Sequence, residues 1–499
     1  MLFTSLTFLL FFVLVFSIHW ILPARYRWIL LLVASLVFYG FGIPQYTPIL
    51  VLSALMNYGF GLWISRADDD RRRRNRLVWG IVLNIALLGM FKVLSVHPLF
   101  TVPASWGVTL SGTAGWILPL GISFFTFANL SYLIEIKRRK WEPERHLGYF
   151  AVYVTFFPKL IQGPIERPAA FLPQVKTPAA FNYDRAVGGL RLMLWGFFKK
   201  LVIADRLALA VNPVFDRPHD FGGPAVIVAA ILYSIQIYAD FSGYIDIARG
   251  CAKLLGFELT KNFNRPYAAT SVKDFWSRWH ISLSNWLRDY VFLPLAFGIS
   301  RRLKKERYLG MRTDHLIYSF AITVTFLLCG IWHGAGFTFL AWGALYALYL
   351  MTGHLTEKPK RRLYRKAGIL PASRLYRYPQ VIVTFTLVTF AWVLFRSSGF
   401  QNFSDILTAA ARGWSEFAAS PASAYRQLVV AGFTLADMVI IAATVPFLFL
   451  TESSRFLDGT WQRLKTRPAW LRWSLYYSVL IAILLFGKFE NSTFIYYQF

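Results

Sequence analysis

The feature that most limits what this chain can become is a recurrence of apolar stretches of about twenty residues, nearly free of charge, separated by short basic segments. Leu2–Leu22, Tyr46–Ile64, Leu77–Leu94, Ala225–Tyr238, Leu316–Cys329, Phe337–Leu350, Val381–Phe395 and Leu428–Leu450 are the clearest. Trp28–Phe41, Trp116–Ile136, Ala186–Leu207 and Leu471–Phe486 extend the series. A bilayer core of about 30 Å is crossed by about twenty helical residues, so the pattern predicts about ten to twelve membrane segments. The expected fold is all-α and polytopic, with one membrane domain over residues 1–499 in place of the several domains a soluble chain of 499 residues would form. The first block has no basic segment ahead of it and no small-residue cleavage site after it, so it reads as a retained helix.

Charge fits the same picture. The chain carries 53 Lys and Arg against 25 Asp and Glu, a formal charge of +28 that in a soluble protein would suggest nucleic acid. Here the basic residues sit between apolar blocks, at Arg66 and Arg71–Arg76, Lys137–Lys140, Arg301–Arg307 and Lys358–Lys366. That is the positive-inside distribution; it assigns these loops to the cytoplasm, against anionic lipid headgroups, and argues against a nucleic-acid partner. Residues 97–115 hold no Lys, Arg, Asp or Glu and are expected outside, which also places the N-terminus outside. The two cysteines, Cys251 and Cys329, lie in or beside apolar blocks and suggest neither a disulfide nor a metal site.

Two stretches depart from simple spanning helices. Phe156 to Pro164 is interrupted by Pro158 and Pro164, and irregular backbone at membrane depth persists only where protein or a water-filled cavity satisfies it. A re-entrant segment is expected there. In 273–290, Phe275, Trp276, Trp279, Leu283, Trp286, Leu287 and Tyr290 share one helical stripe, while Asp274, Arg278, Asn285, Arg288 and Asp289 fill the remainder. This predicts a helix lying in the interface or against a protein cavity, with His280 at the border of its apolar stripe.

An ionisable residue inside a membrane domain invites a functional reading. His333 stands in Gly330-Ile331-Trp332-His333-Gly334-Ala335-Gly336, between two apolar runs flanked by basic segments. A hairpin is expected there, with the imidazole deep in the membrane or toward its outer side, at a turn that glycine leaves open to close approach. A neutral buried imidazole can take a proton from a hydroxyl; it can equally be a structural histidine bonded to a carbonyl. His280 is the second candidate. Asp240 and Asp246 close an apolar run and could orient a helix or a histidine or face a polar cavity, and Lys199 and Lys200 read as snorkelling residues. No metal-spaced histidine cluster, phosphate loop or serine-nucleophile motif is present. Acyl transfer, secondary transport and a scaffold role all remain open on these residues alone.

Taken together, the motifs resemble the membrane-bound O-acyltransferase (MBOAT) family, in its bacterial alginate O-acetyltransferase-like branch. The resemblance rests on Leu118–Phe124, Gln162-Gly163-Pro164, Asp240–Tyr244, Asn262–Tyr267, Phe275–Ser284, Trp286–Tyr290, Trp332-His333-Gly334 and Phe395-Arg396, a core of about 118–396. It implies a helical fold enclosing an acyl-transfer tunnel in a bacterial inner membrane. Acetyl-CoA would be the donor substrate, with no permanently bound cofactor and no metal. His333 matches the family's catalytic histidine and His280 the second histidine of the branch. Asp240, Trp332, Asn285, Arg288, Asp289 and Gln162 are the matching candidates for tunnel or support positions. The expected partners are a polysaccharide and a periplasmic, serine-hydrolase-like acetyltransferase. Related branches resemble acetylators of cellulose, peptidoglycan and other exopolysaccharides, and D-alanyl transferases of teichoic acid. Phe292–Ile299 lacks the Gly-rich basic stretch expected of an alginate enzyme.

Overall fold

The computed structural model describes residues 1–41, 44–96, 119–308, 310–334, 336–368, 370, 373–430, 432–452, 467–489 and 494. The external loop expected at 97–115 lies outside them. Helix dominates; among the described residues the strands are one antiparallel pair, Arg307–Tyr308 with Met311–Arg312, in the basic loop. Among the described residues six helices are long and apolar enough to cross a membrane: Pro44–Ser65, Asp70–Lys92, Gly223–Leu254, Thr313–His333, Arg374–Arg396 and Ala469–Phe486. Leu6–Ile21 and Leu435–Thr451 are shorter apolar helices. As far as the described residues go, the other expected blocks are helical too, but shorter, more polar along their length or interrupted.

Two of the basic segments are not loops. Arg71–Arg76 belongs to the first turns of the Asp70–Val96 helix, and Lys358–Lys366 to the end of Phe337–Lys366. Lys and Arg are good helix formers, so helices carry on past their apolar spans into basic turns.

The chain divides into two compact units that alternate along the sequence. The first comprises Met1–Met193 and Tyr244–Thr260, the second Leu194–Gly243 and Lys261–Phe499.

In the first unit, polar side chains tie apolar helices together. Asn57 and Asn84 donate to each other's carbonyl oxygens at 3.1 and 2.8 Å, and Asn129 donates to Ser53 Oγ at 3.0 Å. Between apolar helices such bonds supply what hydrophobicity cannot. The proline-broken segment is buried in protein, as its exposed backbone requires. Pro158 sits in the first turn of the short Phe157–Leu160 helix, and the freed N–H of Phe157 donates to Ser35 Oγ at 3.0 Å. Gly121 meets this segment in a left-handed conformation; a Cβ there would lie 2.3 Å from the Leu160 carbonyl oxygen, so no side chain fits.

In the second unit, Thr313–His333 and Phe337–Lys366 form the expected hairpin. Backbone-to-backbone contact closes it: a Cβ on Gly330 would come within 2.3 Å of the Phe339 oxygen, and one on Gly343 within 2.3 Å of the Phe326 oxygen. Small residues of this kind let membrane helices approach closely. Trp279, Trp342 and Trp392 are fully buried and set the core of this unit.

Candidate active site

The expected single helix over 273–290 is instead broken in two, Val272–Trp276 and Ile281–Leu287, followed by a π-helical stretch at Arg288–Phe292. Its apolar stripe faces protein: Phe275, Trp276, Trp279, Leu283, Trp286 and Leu287 are all buried. The break falls on His280, which takes a left-handed conformation, φ +43° and ψ +55°. For a residue with a side chain this costs about 1–3 kcal/mol and persists only where its surroundings enforce it. Asn262 does so. Its backbone carbonyl accepts from Ile281 N at 3.0 Å and its side-chain oxygen from Ser282 N at 2.9 Å, while Asn264 N donates to the Arg278 carbonyl at 2.9 Å. On the other side, Asp274 accepts from Thr270 N at 3.0 Å and from Arg278 Nε at 2.7 Å.

His280 is therefore not at the edge of a stripe but completely buried. Its ring meets the edge of Phe241 at 4.9 Å and lies 6.4 Å from Trp332. Burial pushes its pKa down to about 3, which keeps the imidazole neutral. His333 ends the Thr313–His333 helix and is buried among Trp332 at 4.5 Å, Trp342 at 5.0 Å and Phe395 at 5.1 Å. Taken end to end, the separations through Trp332 keep the two imidazoles within about 11 Å of each other. Aromatic rings line this space, with Trp279 against Phe241 and Trp392, and Trp392 stacked on Trp342.

The remaining candidates do not all join this cluster. Trp332 makes a ring contact with each histidine. Asp240 pairs with Lys200 at 2.7 Å. Asn285 lies half-buried on Ile281–Leu287. Arg288 is exposed and pairs with its neighbour Asp289 at 2.7 Å. Gln162 belongs to the first unit, where it is buried and neither polar atom of its amide has a hydrogen-bond partner among the described residues. The apolar run expected to end before Asp240 continues as helix to Leu254, so Asp246 falls in the first unit, beside Arg249. Lys199 and Lys200 are buried rather than snorkelling. Trp342 was not singled out from sequence, and Phe241 and Phe395 entered only as members of motifs, because a ring that encloses a site has the same composition as one that fills a core. Among the described residues no group of three His, Cys, Asp or Glu is placed to hold a metal.

The sequence profile of the membrane-bound O-acyltransferase (MBOAT) family matches residues 144–400, a range that includes every candidate residue named above, and this chain belongs to that family. It is thus a membrane-embedded acyltransferase. A protein of Pseudomonas aeruginosa named "Probable alginate O-acetylase AlgI" is 35% identical over 405 residues, covering 80% of this chain and 73% of its own. The like-named protein of Pseudomonas putida is 31% identical over 523 residues, with both chains covered in full. The peptidoglycan O-acetyltransferase of Helicobacter pylori is 32% identical over 406 residues, covering 76% of this chain and 72% of its own.

Proposed function

We propose that this protein takes acetyl groups from acetyl-CoA on the cytoplasmic side of a bacterial inner membrane and passes them on for O-acetylation of a cell-surface polysaccharide. The observation that carries the reading is the pair of histidines on Trp332, buried among aromatic rings in a chain similar to alginate and peptidoglycan O-acetylating proteins.

In this reading His333 takes the proton of the acceptor hydroxyl as its oxygen attacks the thioester carbonyl. The carbon–sulfur bond breaks, and the imidazolium returns the proton to the thiolate, releasing CoA. His280, held neutral by burial, cannot share that proton near neutral pH. It orients the acceptor or the carbonyl by hydrogen bonding. Trp332, Trp342 and Phe395 exclude water around His333, and positioning of hydroxyl against thioester supplies much of the rate. Asn285, in the same unit as the histidines, is the candidate tunnel position, and the basic segments would draw the phosphates of acetyl-CoA to the cytoplasmic mouth.

Alginate and peptidoglycan are the acceptors named for the relatives, and both offer sugar hydroxyls. Phe292–Ile299, largely an apolar helix here, favours an acceptor other than alginate. Delivery to a hydrated polymer would pass through the serine of a periplasmic acetyltransferase. Reconstitution in liposomes tests the proposal. Acetyl-CoA inside the vesicles should yield CoA and O-acetylated polymer outside when periplasmic extract is supplied. Absence of CoA release with intact, folded protein would overturn the donor. Efficient acetylation without the extract would overturn the partner.

A further inference from the structure

A second buried polar cluster lies in the same unit and plays no part in the chemistry above. The helix beginning at Tyr183 loosens into a π-helical stretch over Phe198–Ala204, a geometry frequent at functional sites. It carries Lys199 and Lys200, both buried, toward the Gly223–Leu254 helix. Lys200 Nζ lies 2.7 Å from Asp240 and 2.8 Å from Asp205. Lys199 Nζ donates to Ser242 Oγ at 2.9 Å. The two helices touch at glycine: a Cβ on Gly243 would come within 2.9 Å of the Gly196 oxygen. Between Asp240 and Ser242, on a different face of the turn, stands Phe241, whose ring abuts His280 at 4.9 Å.

Buried ion pairs seldom stabilise more than apolar packing of the same volume would, and their best-attested use is to fix register. An apolar contact between two helices tolerates rotation; a lysine bonded to two carboxylates does not. We propose that Lys200, Asp205 and Asp240 form a positioning device that sets the rotation of the Gly223–Leu254 helix and so holds Phe241 against His280. A helix has an outer radius of about 5–6 Å, so a rotation of about ten degrees moves a side chain by about 1 Å. Misplacement on that scale costs up to about 10²-fold in rate. The inference rests on the reading of His280 and His333 as the site.

The test is a double-mutant cycle in the reconstituted full-length protein, with acetyl-CoA as donor and CoA release as readout. Asp240→Asn is the lead variant, since it keeps volume and leaves the Lys200–Asp205 pair intact, whereas Lys200→Met would strand two carboxylates. Asp240→Asn should lower kcat about 10- to 100-fold with KM for acetyl-CoA changed less than about twofold. Phe241→Leu should do the same, and the double variant should be no worse than the worse single one, because the first acts through the second. Wild-type kcat for Asp240→Asn, or a double variant equal to the product of the singles, overturns the proposal. A fall in kcat that tracks lost accumulation also overturns it, as that marks a general fold defect. If His280→Ala turns over like wild type in the same assay, the failure lies in the reading of the site instead.

Discussion

The imidazoles of His280 and His333 rest against one indole, that of Trp332, although a chain break in a left-handed conformation presents the first and a helix end presents the second. The two supports are unlike, so the two histidines are expected to respond differently to substitution.

His333→Ala should cost about 10²–10⁴-fold in acyl transfer, the usual contribution of a general base, while the protein inserts and accumulates as before. O-acetyl content of the cell-surface polymer, measured beside protein level in the membrane, checks this. Near-normal acetylation would remove His333 from the chemistry.

At His280 the backbone gives a sharper test. His280 caps the Ile281–Leu287 helix, a position where glycine is already better tolerated than alanine, and at φ +43° only glycine is free of strain. His280→Gly should therefore unfold at a temperature at least as high as His280→Ala in detergent, and both should lose activity. His280 lies outside the six spanning helices, and its folded pKa of about 3 is below the unfolded value of about 6.5. Between those values the unfolded chain binds the extra proton, so stability falls as pH drops below about 6.5. Wild type should lose more stability between about pH 7 and 5 than His280→Gly does, and equal losses would count against the buried neutral ring.

The hairpin that carries His333 depends on two glycines. Gly330→Ala or Gly343→Ala forces a methyl against a carbonyl oxygen and should cost about 1–3 kcal/mol, with activity falling as His333 is displaced. Gly353, on the same Phe337–Lys366 helix, has nothing within 4 Å of an added Cβ. Gly353→Ala should be neutral or stabilise by up to about 1 kcal/mol. Thermal unfolding of the three variants separates the positions.

Orientation is tested by thiol labelling from outside intact cells. Arg72→Cys should stay unlabelled and Thr109→Cys should react; both native cysteines are buried and contribute little background. The reverse pattern would invert the topology.

What sequence made legible was periodicity and composition. The apolar blocks became helices, and Trp332-His333-Gly334 became a glycine-packed turn because those glycines have no other use in an apolar hairpin. The Phe275–Tyr290 stripe was read as one helix because its spacing is helical throughout. Nothing in that spacing reveals that Asn262 draws Ile281 and Ser282 out of line and turns His280 left-handed. The same limit hid the lysine cluster. Consecutive residues on a helix point well apart, so nothing in the sequence reveals that Lys199 and Lys200 both reach one neighbouring helix from a π-helical stretch. Asp240 reads in the sequence as a carboxylate closing an apolar run, and its partner Lys200 lies forty residues away in sequence.

The alternation of the two units along the chain has a consequence for biosynthesis. The first unit receives its last stretch, residues 244–260, only after 194–243 of the second has been made. During synthesis the early helices must therefore wait in the membrane, incomplete, while a segment destined for the other unit is inserted. No single cut in the polypeptide separates the units, so split-protein reporters and truncations placed near residue 193 should yield an unfinished first unit, not an autonomous half.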